Sequence, residues 1–132
     1  MGMEFYGNSY KGNDEPIFVG IPTFLKLPWI RSHEELKSVR PDVAIIGEPF
    51  DFGTTIRPGA RYGPRAIRAA STVPSPPYEH FNIETGVDPF GVFRTVDYGD
   101  VNISPGDVVE SHTRMTNKVK EVLDLDGIPV ML

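Results

Sequence analysis

The residues of this chain with the widest chemical reach are four arginines, Arg57, Arg61, Arg65 and Arg68, set closely behind an acid, Asp51. A guanidinium fork suits carboxylate and phosphate alike. The spacing therefore describes either an anion-binding loop or a loop whose arginines satisfy their own carbonyls and nearby acids, and both readings stand. Further carboxylates, Asp97 and Asp100, fall near the end of a predicted strand. Two-metal hydrolysis needs several carboxylates converging, usually with one or two histidines. His33, His80 and His112 lie in unrelated local contexts, and none stands in H-x-x-x-H or D-x-H-x-D spacing. No metal ligand and no catalytic residue is assigned within this chain. The absence of cysteine removes thiolate chemistry and disulfides. No G-x-S-x-G elbow occurs, and Ser71 and Ser75 have no local base. Nothing in the acid spacing supports a glycosidase-like carboxylate pair.

These residues need a frame to hold them. The unbroken apolar run after Asp42, ending at Gly47, suits a parallel strand covered on both faces. A glycine- and proline-rich loop follows over 48–62, and Pro64 opens a helix predicted to run to about Ser71, since proline at the first position forfeits no hydrogen bond. The stretch 78–92, with Tyr78, His80 and Phe81, reads as irregular. A second strand is predicted over about 93–98, placing Gly99 and Asp100 at its end. A longer helix follows over about 107–126, with Val108, Met115, Val119, Val122 and Leu123 at helical spacing and Gly127 as its cap. A third strand begins at Ile128. Strand, helix, strand, helix, strand is the order of an α/β fold with a parallel sheet. In such sheets ligands collect outside the carboxyl ends of the strands, which is where the arginine loop lies.

Upstream, 1–15 is polar and glycine-containing and reads as a flexible arm; the alternative is an arm that docks on a neighbouring subunit through Tyr6 and Tyr10. The apolar stretch 17–30 is broken by Pro22 and Pro28, which forbid a regular helix or central strand. It is expected to pack on its own core, with a substrate lid as the alternative. Ser32 and Glu35 have capping-box spacing and predict a helical turn or slightly more before Pro41.

The 132 residues suit one domain, and 39% hydrophobic with 23% charged residues is a globular balance. A net charge of −5 argues against general nucleic-acid binding. No apolar run is long enough to span a bilayer, so no membrane role is expected and a cytoplasmic location is. The 13 prolines and 13 glycines make a loop-heavy chain, and its last residues read as a core strand without a successor. The expectation is a domain cut at residue 132.

The run G-E-P-F-D-F-G-T-T-I-R-P-G-A-R-Y-G-P-R-A-I-R, from Gly47 to Arg68, resembles the amino-terminal signature of the ureohydrolases, the arginase and agmatinase group, with the agmatinase branch nearer. Thr23 to Pro28, Val96 to Val101 and the terminal Gly-Ile-Pro-Val-Met-Leu are similar to further segments of that branch. The resemblance implies a three-layer α/β/α sandwich with a mainly parallel sheet, of which 16–132 would be the first part. It implies homo-oligomers, trimers or hexamers. It also implies a pair of manganese ions, nickel in some relatives, activating a water that attacks a small guanidino substrate to release urea and an amine. The family's metal motifs, G-G-D-H, D-A-H-x-D and S-x-D-x-D, are absent, so this chain alone is expected to be inactive. By the same resemblance Gly59, Arg61, Gly63 and Pro64 shape a loop beside the active-site mouth. Phe24, Leu27 and Pro28 form a substrate wall or subunit contact. The alternative to the enzyme is a short non-catalytic assembly partner of a longer ureohydrolase.

Overall fold

The computed structural model describes residues 18–72 and 81–132. The arm expected over 1–15, Tyr78 and His80 lie outside the described residues. Three parallel strands, β1 (Val43–Gly47), β2 (Thr95–Asp100) and β3 (Ile128–Met131), form one sheet in the order β2-β1-β3. The first strand is central, which explains its uninterrupted apolar run.

Alternation along the strands divides the sheet into two faces. Ala44 and Ile46 of β1 and Val96 and Tyr98 of β2 turn to one side. There they join Leu36 and Val39 of α1 (His33–Val39) and Met115 and Val122 of α4 (Val108–Leu123) in the main core. Ile46, Val96 and Leu36 are fully buried, and each contributes about 1.5–3 kcal/mol of transfer free energy. On the opposite face α2 (Gly63–Ser71) lays Arg68 against Asp97. Helix, sheet and helix are the three layers of an α/β/α sandwich.

Local chemistry sets most boundaries. Ser32 accepts the Glu35 amide at 3.2 Å, while Glu35 accepts the Arg31 amide at 2.7 Å. The capping box is thus shifted back by one residue on its return arm. The helix it starts extends to Val39 rather than stopping after about a turn, and Arg40 closes it in a left-handed conformation, φ 46°. The stretch expected to be irregular contains a short helix, α3 (Pro89–Val92), because Asp88 caps the Phe90 amide at 3.1 Å and Pro89 takes the first position. That turn occupies the residues just before β2, which therefore begins at Thr95 instead of Phe93 and continues through Asp100.

Two expectations for α4 are corrected. Ser111, Met115 and Val122 face the core, and Val108 and Leu123, expected on the apolar face, are exposed. The left-handed residue after the helix is Asp126, φ 62°, not Gly127. Gly127 is needed for space, since a Cβ there would stand 2.9 Å from the Pro41 carbonyl oxygen.

The outer edge of β2 is covered. The Asp97 amide donates to the Pro28 carbonyl at 3.0 Å and the Ile30 amide donates to the Asp97 carbonyl at 2.9 Å. Pro28 lacks a donor and suits this outermost position. Leu27 and Ile30 are buried here, whereas Phe18, Ile21 and Trp29 are exposed. The stretch 18–30 packs on its own core only in part. Among the described residues no helix is long and apolar enough to cross a membrane.

Candidate functional site

Beyond the carboxyl end of β1 the chain folds around Asp51. Its side chain is buried and accepts the Gly59 amide at 2.7 Å, the Arg61 amide at 3.4 Å and Arg61 Nε at 2.5 Å, with Arg61 Nη2 paired to the same carboxylate. Gly59 has φ 142°, a conformation closed to most L side chains, and this brings its amide to the acid. The Arg61 hydrogen bond holds Asp51 below its ordinary carboxylate range; burial opposes the shift and the Gly59 and Arg61 amides add to it. Arg61 is half-exposed and also lies over the Phe52 ring, 5.3 Å from its centroid. A tight turn at Ala60–Tyr62 then delivers Gly63 as the first residue of α2, with Pro64 buried behind it.

Arg68, one turn further along α2, forms the second cluster. Its Nε lies 2.8 Å from Asp97 Oδ2 and its Nη2 3.0 Å from Asp97 Oδ1, a two-point fork, while Nη1 pairs with Asp100 Oδ1. Burial works against the guanidinium charge, yet the hydrogen bonds to Asp97 and Asp100 outweigh it and push its pKa up. Asp97 also accepts the Phe24 amide at 2.7 Å and the Gly99 amide at 2.9 Å. Ser71 Oγ donates to the Arg68 carbonyl at 2.7 Å and accepts the Leu25 amide at 2.8 Å. Together these bonds hold the tight turn Phe24–Lys26, whose Leu25 and Lys26 have φ 49° and 57°.

The arginines thus divide. Arg61 and Arg68 satisfy acids of their own chain, and Arg57 and Arg65 are exposed. Gly59, Arg61, Gly63 and Pro64 stand together after β1, whereas Phe24, Leu27 and Pro28 lie along the edge of β2 beside the Arg68 cluster. Reading the arginines as a group did not single out Arg68. The signal was present in the spacing of Pro64, Arg68 and Ser71, which fall on one face of a helix.

The acids do not fit a metal pair. Asp51 is committed to Arg61, and Asp97 and Asp100 to Arg68. Among the described residues no group of three or more His, Asp or Glu side chains could hold a metal ion. His112 is exposed, with the Phe50 ring 5.1 Å away. His33 Nδ1 is buried without a hydrogen-bond partner, 3.9 Å from Glu121 Oε2. That Glu121 oxygen accepts from the Tyr98 hydroxyl at 2.5 Å; burial first, then this bond, raises the phenol's pKa.

Comparison with known proteins gives this geometry a context. The model of the arginase family matches residues 41–132. The guanidinobutyrase of Pseudomonas aeruginosa is 36% identical over 121 residues, 92% of this chain and 36% of that protein. The mitochondrial agmatinase of Gallus gallus is 35% identical over 86% of this chain and 31% of its own length. Among solved structures, the proclavaminate amidino hydrolase of Streptomyces clavuligerus superposes with a TM-score of 0.71 at 32% identity, over 89% of this chain and 37% of that one. The chain spans about a third of the length of the curated relatives it matches.

Proposed function

The chain belongs to the arginase family, and from that premise we propose that it serves a ureohydrolase, cleaving a linear guanidino compound into urea and an amine. The observation that carries this is the family match running through β1, the Asp51 loop, the Arg68 cluster and β3. Agmatine or a guanidino acid is the substrate class, in keeping with relatives named for agmatine and for guanidinobutyrate. A manganese pair, or nickel, would supply the activated water, held by residues other than Asp51, Asp97 and Asp100, which are engaged by arginines. Gly59, Arg61, Gly63 and Pro64 shape the mouth of the site. Phe24, Leu27 and Pro28 form a wall or subunit contact of a cytoplasmic trimer or hexamer.

Urea release tests the proposal. The whole protein carrying these residues, supplied with manganese, is expected to release urea from agmatine or 4-guanidinobutyrate. Release from neither would sink the assignment. The 132 residues alone are expected to give no more urea than a manganese blank.

A second reading is favoured by the exposed apolar side chains Phe18, Ile21 and Trp29. It makes the chain a non-catalytic assembly partner of a longer ureohydrolase. Co-purification with such an enzyme, lost when Phe18 and Trp29 are changed to serine, would support it; independent elution would reject it.

A further inference from the structure

The β1–β2 pairing is interrupted at its carboxyl end. Ile45 pairs with Asp97 and Gly47 with Asp100, so two steps along β1 match three along β2. The extra residue makes a β-bulge, and Gly99 sits in it with φ 69°. Bulges bend a strand and re-aim the residues beyond it, and they concentrate beside active sites. This one lies where β1 and β2 release their loops, the end of a parallel sheet at which ligands collect.

One side chain spans the irregularity. Arg68 grips Asp97 before the bulge through two nitrogens and Asp100 after it through the third. Asp97 in turn accepts the amide of Gly99 inside the bulge. Immediately past it, the Val101 amide donates to the Gly47 carbonyl at 2.8 Å and rejoins the strands. Space for the arginine comes from Gly47, where a Cβ would lie 3.0 Å from Arg68 Nη1 and 2.8 Å from Pro64 Cβ and would collide with Asp100. A planar guanidinium can bridge two carboxylates in fixed directions, and a lysine ammonium, a point charge, cannot.

We infer that Arg68 is a positioning residue of the ureohydrolase site, its guanidinium clamping the β2 bulge so that the loops after Gly47 and Asp100 leave the sheet in one direction. The inference rests on the ureohydrolase reading for its catalytic consequence, and on the geometry alone for the clamp.

The test has two arms. In this chain, amide hydrogen exchange is compared between the parent, Arg68→Lys and Asp100→Asn; the Asp100 side chain is 44% exposed and its change spares the buried Asp97 fork. Gly99 and Val101 are expected to lose protection about tenfold or more in Arg68→Lys and to a smaller extent in Asp100→Asn. Ile128 and Leu132, which bond to Asp42 and Ile46 across the β1–β3 ladder, should keep theirs. Unchanged protection at Gly99 and Val101, or a uniform loss at all four amides, overturns the clamp.

In the whole protein, Arg68→Lys is expected to lower kcat for urea release about tenfold or more while KM stays within about twofold, because small displacements at a site affect chemistry more than binding. Lost local protection with kcat unchanged overturns the positioning role and leaves the clamp standing. A parent protein that releases no urea overturns the ureohydrolase reading, and the positioning role with it, independently of the exchange result.

Discussion

Two arginine–carboxylate clusters sit side by side at the carboxyl end of this sheet, and they do opposite kinds of work. Arg61 and Asp51 are ten positions apart in sequence and belong to one loop. Arg61 is half in water, and its pairing with Asp51 folds that loop upon itself. Arg68 reaches Asp97 and Asp100 from another layer, with its side chain 8% exposed. It joins helix to sheet and, through Asp97, both to the turn at Phe24. The same functional groups thus organise a local loop in one place and the assembly of layers in the other. Asp51 and Asp97 are both buried, and the burial of the arginine marks the difference.

The largest expected effect follows from removing the buried cation. Arg68→Met leaves Asp97 charged, 1% exposed and without its fork. Breaking a buried pair from one side costs about 3–5 kcal/mol, mostly for the stranded charge. Urea denaturation of this chain should show a loss of that order, whereas Arg61→Met should lose less, because Arg61 is half-exposed and its removal lets water reach the Asp51 carboxylate. Equal losses would erase the distinction between the clusters.

A steric change comes next. Gly47→Ala adds a methyl 2.8 Å from Pro64 Cβ and against the Asp100 carboxylate. Overpacking of this kind costs about 1–3 kcal/mol. Gly53→Ala, in the Asp51 loop, meets no atom within 4 Å and should leave the denaturation midpoint in place. A Gly47→Ala midpoint equal to the parent's would mean that the Arg68 cluster has slack.

How much of this was legible in the sequence differs between the two clusters. The loop announced itself, because Pro58, Gly59, Gly63 and Pro64 are backbone specialists within seven residues, and the apolar residues before Gly47 mark the strand that delivers it. The parallel α/β sheet follows from the order of such segments, and the three-layer sandwich from the family resemblance. The Arg68 cluster was hidden because its partners are 29 and 32 positions away, and pairing at that range is set by sheet register, which no local pattern encodes. Its bulge was hidden for the same reason. α3 was legible and missed, since Asp88 followed by Pro89 is an ordinary helix start. The exposure of Val108 and Leu123 was not legible from helical spacing alone, because the sheet beneath α4 selects the face.

Titration separates the clusters at the smallest scale. The Arg61 guanidinium holds Asp51 below its ordinary value in the folded chain. Between that lowered value and about 3.9, the unfolded carboxylate value, the unfolded chain binds more protons. The Asp51 contribution to stability is therefore fully present above the unfolded value and is lost as the pH falls through the folded one. Arg68 has the opposite sign, its pKa being raised above the ordinary guanidinium value. Its contribution is complete below that value and fades only as the pH climbs through the raised one, so its own titration adds no slope in acid. Asp51→Asn should accordingly lower stability at neutral pH and flatten the acid limb of the pH–stability curve, with the two curves converging at the lowest pH. Denaturant midpoints at neutral pH and through the acid range for parent and variant measure this directly. Parallel curves with an unreduced acid slope would show that the loop acid owes its ordering role to shape and not to its charge.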